Sequence, residues 1–161
     1  MSILTIQEMS SLSQRLQSEG KIVVFTNGCF DLIHRGHIEL LKAAKSEGDI
    51  LFIGVNSDAS VRRLKGEIRP LMNEEDRVTI INTLKPVDHV AIFDENTPYD
   101  LILMVRPNVL VKGADYTLEE IVGAKEVIHW GGRVVRVPLV SNTSTTRFIK
   151  ELDHKNSMEK P

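Results

Sequence analysis

The chain is poor in cysteine and in aromatic residues. One cysteine, Cys29, stands among 161 residues. A lone cysteine closes no internal disulfide, so nothing points to an oxidising, secreted setting. Phe, Tyr and Trp together make up 5% of the chain, which leaves little for a stacking platform on single-stranded nucleic acid. Neither sign of charge dominates: 20 Lys and Arg face 22 Asp and Glu, for a formal net charge of −2. That balance argues against broad nonspecific nucleic-acid binding and leaves room for a local cationic pocket. No apolar run approaches the ~20 residues of a membrane helix, so no membrane association is expected. The opening segment MSILTIQEMSSLSQRLQSEG has no basic-then-apolar leader pattern, and the expected compartment is the cytoplasm.

What is present is an ordinary globular balance, 42% hydrophobic and 26% charged. The length suits one domain, which typically takes ~100–200 residues. The expected division is a single domain over 1–161, with an N-terminal helix over 1–20, a core over about 21–152 and a polar, frayed tail over 153–161.

Periodicity alternates between strand and helix. Thr5 and Glu8 suit a capping box at the head of a first helix that stops near Gly20. Ile22 to Phe25 and Ile50 to Val55 are continuous apolar runs, as in strands buried on both faces. Between them Gly36 to Ser46 has helical spacing. Asn73 with Glu74, Glu75 and Asp76 starts a helix that runs to about Leu84. Val87 to Phe93 is a third, half-polar strand, placed nearer an edge. Thr97-Pro98 opens another helix, with proline at its first position. Val109 to Val111 and Arg133 to Val137 complete five strands. Thr117 with Glu120 reads as a second capping box, leading a helix towards Trp130. Ser144 or Thr145 caps a last helix through Leu152. The alternation predicts an α/β fold: a Rossmann-like parallel sheet of about five strands with helices on both faces. Ligands of such sheets bind beyond the carboxyl ends of the strands, here in segments 26–37, 56–70, 112–116 and 140–147.

The first of these segments carries the most chemistry. Thr26-Asn27-Gly28-Cys29-Phe30-Asp31-Leu32-Ile33-His34-Arg35-Gly36-His37 joins a strand to a helix. It lacks the three spaced glycines of a dinucleotide fingerprint. It places two histidines three residues apart, nearly one helical turn, at a helix N-terminus. Free N–H groups and the helix dipole favour an anion there, and Gly36 permits close backbone approach. Three readings of His34 and His37 stand side by side: metal ligands, with Asp31 as the one near carboxylate; structural capping or core histidines; and phosphate ligands. The first lacks a full donor set, and the strand-to-helix junction favours the last.

Asn27-Gly28-Cys29-Phe30-Asp31 with His34-Arg35-Gly36-His37 resembles the signature of the HxGH nucleotidyltransferases, the cytidylyltransferase-like superfamily. Ser144-Thr145-Thr146-Arg147 resembles that superfamily's C-terminal serine/threonine motif. Further blocks, Val55 to Asp58, Leu64 to Pro70, Val111 to Tyr116 and Gly123 to Val127, are similar to the adenylyltransferase domain of bacterial ADP-heptose synthases. The resemblance runs from about Lys21 to Leu152. Two departures stand out. Many relatives carry a sugar-kinase domain on the same chain, and these 161 residues have no room for one, so a separate kinase is the implied supplier. Ser141-Asn142-Thr143 also differs from the residues usual before the Ser-Thr-Thr block.

The resemblance implies transfer of AMP from ATP to D-glycero-β-D-manno-heptose 1-phosphate, releasing pyrophosphate and feeding lipopolysaccharide or a related surface glycan. The alternatives are CTP with glycerol 3-phosphate, GTP with the heptose α-anomer, and a non-catalytic nucleotide-binding module. The acceptor phosphate is already anionic near neutral pH, its second pKa being ~6, so no nucleophile–base pair is required. Catalysis then rests on positioning and preorganised positive charge. By resemblance, His37 holds the α-phosphate and His34 contacts the triphosphate. Asn27, Gly28, Cys29, Phe30, Gly36, Lys112 and Gly113 cradle the nucleotide, and Ser144 and Thr145 meet its outer phosphates. Asp31, Asn56, Asp58, Arg77, Asp115 and Arg147 are the implied substrate contacts. Arg77 has the competing reading of an intrahelical pair with Asn73 or Glu74. Lys45 lies about two turns beyond His37 and reads either as an extension of the same face towards a phosphate or as a solvated lysine. Mg²⁺ is implied with ATP, held mainly by the triphosphate rather than by a protein site. A homodimer is implied as well.

Overall fold

The computed structural model describes residues 2–138. The expected last helix and tail, with Ser144, Thr145 and Arg147, lie outside the described residues.

The chain opens with β1 (Ser2–Ile3) and α1 (Ile6–Ser18). The Thr5–Glu8 capping box forms in full: Thr5 Oγ1 accepts the Glu8 N–H, and Glu8 accepts the Thr5 N–H. Then come β2 (Val23–Gly28), α2 (Arg35–Lys45), β3 (Ile50–Asn56), α3 (Asp58–Lys65), α4 (Glu74–Thr83) and β4 (His89–Phe93). The last described elements are α5 (Tyr99–Val105), β5 (Val109–Gly113), α6 (Ala124–His129) and β6 (Arg133–Val137). The sheet has the order β1-β4-β3-β2-β5-β6, with every pairing parallel.

Successive residues of the strands feed opposite faces. Val23 and Phe25 join Met9, Phe52, Leu101, Ile102 and Leu110 under α1, α5 and α6. Val24 joins Leu41, Ile53, Val55, Ile81 and Val111 under α2 and α4. Burial on both faces is why these strands read as unbroken apolar runs. The sheet also has a reversal point. From β2 the chain adds β3 and β4 on one side, then returns to place β5 and β6 on the other. The crevice beyond the carboxyl ends of β2 and β5 is where such sheets hold ligands.

Four details differ from the sequence expectation. The sheet has six strands, not five. The extra strand is only two residues long, too short for any pattern, and it is held by Ser2 N–H to Asp88 O and Leu4 N–H to Val90 O. It takes the edge and moves β4 one place inward. Segment 56–70, to which the sequence reading assigns no helix, contains α3, whose start is capped by Ser57 accepting the Ser60 N–H; its sequence DASVRRLK is too polar to show an apolar stripe. Pro98 is the cap residue before α5 rather than its first helical residue. The Thr117–Glu120 box starts no helix. Thr117 N–H reaches Glu120 Oε2, but α6 begins only after Gly123, at φ +81°. A Cβ at Gly123 would sit 2.9 Å from Ile102 side-chain carbons, so close packing on α5 sets that break.

Candidate active site

Beyond the carboxyl ends of β2, β3 and β5 lies a cleft of about 580 Å³. The loop from β2 to α2 forms one wall. Gly28, Cys29, Phe30, His34, Gly36 and His37 all line it. Phe30 sits at φ +48°, a left-handed conformation rare outside glycine, and its ring meets the His37 ring at 5.3 Å.

The two histidines combine readings that the sequence leaves open: both line the cleft, and both cap α2. His34 Nδ1 accepts the Gly36 N–H at 3.1 Å, and His37 Nδ1 accepts the His34 N–H at 3.4 Å. An imidazole whose Nδ1 accepts carries its proton on Nε2. Both rings therefore offer an Nε2–H donor. Burial is the main cause that lowers both pKa values, His37 to about 4, with His34 and Lys65 adding to the effect on His37. In the free site both rings are neutral donors at physiological pH. The amides expected to cradle an anion are largely spent: Gly36 N–H goes to His34 Nδ1, and His37 N–H goes to His34 O. Anion binding here falls to the imidazoles, the remaining loop amides and the helix dipole.

The opposite wall comes from β5. Lys112, Gly113 and Asp115 line the cleft. Lys112 Nζ reaches across to Asn27 Oδ1 at 2.5 Å. Burial pulls the amine down to about 8, against the opposing pull of Asp115. Asn56 also lines the cleft and is anchored by donating to Ser60 Oγ. Cys29 is half-buried; burial raises its thiol pKa, which makes it a poor nucleophile.

Four expected site residues are not brought to the cleft as free ligands. Lys45 ends α2, eight residues from His37, or about 12 Å at 1.5 Å per residue. It donates to Asp88 Oδ2 and to the Asp49 carbonyl, beside the amino ends of β4 and β3. Two turns along α2 carry the lysine away from the cleft, to the amino ends of the neighbouring strands. Asp31 is buried and accepts from Arg69 Nε and from the N–H groups of Leu71 and Met72. Arg77 is fully buried. Its guanidinium donates to Asp58 Oδ1, Cys29 O and Met72 O, and among the described residues it pairs with neither the Asn73 nor the Glu74 side chain. Asp58 is that arginine's partner. These three hold the loops behind the cleft wall.

Among the cleft residues absent from the expected site, two carry polar groups of particular interest. Lys65, at the end of α3, lines it and bears electrostatically on His37 and Cys29. Its only sequence signal was membership of the 64–70 block. Thr26 lines it too, fully buried, with Oγ1 lacking a hydrogen-bond partner among the described residues. An orphan buried hydroxyl beneath a cleft is a group awaiting a partner.

Residues 25–152 match the family described as cytidylyltransferase-like. A protein of Geobacter sulfurreducens named bifunctional protein HldE is 54% identical over 136 residues, 84% of this chain and 28% of that protein. The protein of the same name from Gluconobacter oxydans is 47% identical over 92% of this chain and 31% of its own length. The chain thus spans under a third of these relatives. A crystal structure titled lipopolysaccharide core biosynthesis protein, from Thermoplasma volcanium, is 31% identical with a TM-score of 0.62, covering 77% of this chain and all of that one. Pantothenate synthetase from Thermus thermophilus has a TM-score of 0.68 at 17% identity, over 96% of this chain and 70% of that one, a likeness of fold alone.

Proposed function

The chain belongs to the cytidylyltransferase-like family of nucleotidyltransferases, and on that premise we propose that it transfers AMP from ATP to D-glycero-β-D-manno-heptose 1-phosphate. The single observation that carries this reading is convergence at one cleft. Two neutral imidazoles with outward Nε2–H donors and two lysines, Lys65 and Lys112, line the same space at the reversal point of the sheet. That set suits polyphosphate, and the close relatives and the likeness to a lipopolysaccharide core protein support the sugar-phosphate acceptor.

An oxygen of the acceptor phosphate bonds to the α-phosphorus. The bond from that phosphorus to the bridging oxygen of the β-phosphate breaks, and pyrophosphate leaves with the electron pair. The acceptor is already deprotonated near neutral pH, its second pKa being ~6, so no base is needed. His37 donates from Nε2 to the α-phosphate, where charge builds in the transition state. His34 donates to the neighbouring phosphates. Lys112 and Lys65 supply the net positive charge that lets two anions meet. The raised thiol pKa of Cys29 favours direct displacement over a covalent intermediate. Among the described residues no three His, Cys, Asp or Glu side chains converge as a metal cage. Asp115 and Glu120 are the cleft carboxylates that would meet the waters of a Mg²⁺ ion brought in with the triphosphate. When bound, the ion neutralises phosphate charge. Ser144, Thr145 and Arg147 at the outer phosphates, a cytoplasmic setting and a homodimer belong to the same proposal.

The test is pyrophosphate release with Mg²⁺, crossing ATP, CTP, GTP and UTP against both heptose 1-phosphate anomers and glycerol 3-phosphate. Turnover confined to ATP and the β-anomer is expected. A different productive pair overturns the substrate assignment and leaves the chemistry; nucleotide binding without release under any pair overturns the reading as an enzyme.

A further inference from the structure

Asp31 and Arg69 form a buried ion pair, with side-chain exposures of 1% and 7%. Arg69 Nε meets Asp31 Oδ2 at 2.5 Å, and Oδ1 takes the N–H groups of Leu71 at 2.7 Å and Met72 at 3.0 Å. One carboxylate thus ties residues 69–72 to the loop that carries His34. Arg77 closes the same knot from α4, holding Met72 O at 3.0 Å and Cys29 O at 2.5 Å.

This knot is an expensive way to fasten a loop. A buried ion pair adds little net stability over apolar packing. Here it also leaves Arg69 Nη2 buried without a hydrogen-bond partner among the described residues, which carries a further penalty. Such groups fit a role in fixing placement. What they fix lies just upstream. Leu64 and Lys65 line the cleft at the end of α3. Gly66 follows at φ +95° with open space around it, forming a joint, and Ile68 is 78% exposed. Lys65 makes no ion pair among the described residues; α3 fixes its amino-terminal side, and residues 66–72 fix its carboxyl-terminal side, where Arg69 N–H bonds Gly66 O.

We propose that the Asp31–Arg69 pair is a positioning device for nucleotidyl transfer, seating residues 66–72 so that Lys65 presents its charge to the cleft beside His37. It rests on the reading of the cleft as a transfer site. Asp31 and Arg69 touch no substrate; Lys65 does.

Two measurements on the purified chain test it. The first is a double-mutant cycle in steady-state turnover. Arg69→Met and Lys65→Met each lower kcat by roughly 10- to 100-fold, with KM for MgATP within about threefold of the parent. The combined variant loses no more than Lys65→Met alone, to within about twofold, because Arg69 acts through Lys65. Additive losses overturn the proposal. Arg69→Met leaves a buried carboxylate unpaired, so Asp31→Asn with Arg69→Met runs in parallel, its melting curve reporting that the fold survives. The second measurement is trypsin cleavage after Lys65, the bond at Arg69–Pro70 being resistant. In the neutral Asp31→Asn, Arg69→Met pair the released segment is cut about tenfold faster than in the parent. An unchanged rate overturns the seating. A parent chain without turnover defeats the functional reading beneath, and the cleavage still decides whether the pair seats the segment.

Discussion

The rings of His34 and His37 stack, with centroids 3.8 Å apart and planes 25° from parallel. Two imidazolium ions at that distance would repel, and each ring already spends its Nδ1 on a backbone amide. The pair is built to stay neutral and donate from Nε2 until a phosphate arrives. In the proposed reaction, replacing His37 with Ala removes the donor to the α-phosphate. Turnover should fall by about 10²- to 10³-fold, the range for losing one oxyanion donor. Circular dichroism should show the parent fold. Turnover within tenfold of the parent removes His37 from the transition state.

Neutral His37 also makes stability depend on pH. Its folded pKa is about 4 against an ordinary 6.5, chiefly from burial. Between those values the unfolded chain holds the extra proton, so stability declines as pH falls from 6.5 towards 4 and this component levels off below. The component amounts to about 1–3 kcal/mol. Urea midpoints at pH 7, 5.5 and 4 should drop more steeply for the parent than for His37→Gln. Parallel curves would falsify the assignment of that slope to His37.

Lys112 predicts an alkaline limit. Its folded pKa is lowered to about 8, so the free amine loses its charge above that pH. Bound phosphate favours the charged form, and nucleotide binding near pH 8 takes up a proton. Affinity should weaken roughly tenfold between pH 7 and 9.5, the scale of one charge-assisted contact. Titration calorimetry in two buffers of different ionisation enthalpy reads both effects. Lys112→Met should bind weakly at every pH and take up no proton. A variant that keeps the alkaline limb assigns it elsewhere.

Lys45 predicts the opposite pattern. Its partner Asp88 also accepts the Leu51 N–H, so the pair braces the amino ends of β3 and β4. Lys45→Met should lower stability by about 1 kcal/mol, as partly exposed pairs do. Its kcat and KM should match the parent. A tenfold loss of kcat with an unchanged melting point would return Lys45 to the cleft.

Most of the fold is legible in the chain because burial on both sheet faces writes itself as unbroken apolar runs, and because helix starts need caps. Ile50 to Val55 and the Thr5–Glu8 box are of this kind. The short β1 and the polar α3 were not legible: two residues hold no period, and DASVRRLK owes its helix to the Ser57 cap and packing on β3. The Thr117–Glu120 box shows the converse. Its local hydrogen bond formed, yet Gly123 turning against Ile102 decided where the helix began.

The site divides in the same way. By itself the sequence determined that segments 26–37, 56–70 and 112–116 reach the cleft, because a parallel sheet sends every strand's carboxyl end to one side; residues 96–98 and 120–122 joined them only in the folded structure. Its residue types also determined the chemistry: imidazoles, lysines and a helix start suit phosphate. Which charged groups stay free for a ligand was decided only by the tertiary structure. Asp31 and Asp58 lie close in sequence to cleft residues, but each is paired with an arginine that burial deprives of water. Those partners, Arg69 for Asp31 and Arg77 for Asp58, stand 38 and 19 residues away. Lys65 became a cleft residue through the fold as well: it is exposed, and the end of α3 on which it stands lies at the cleft rim.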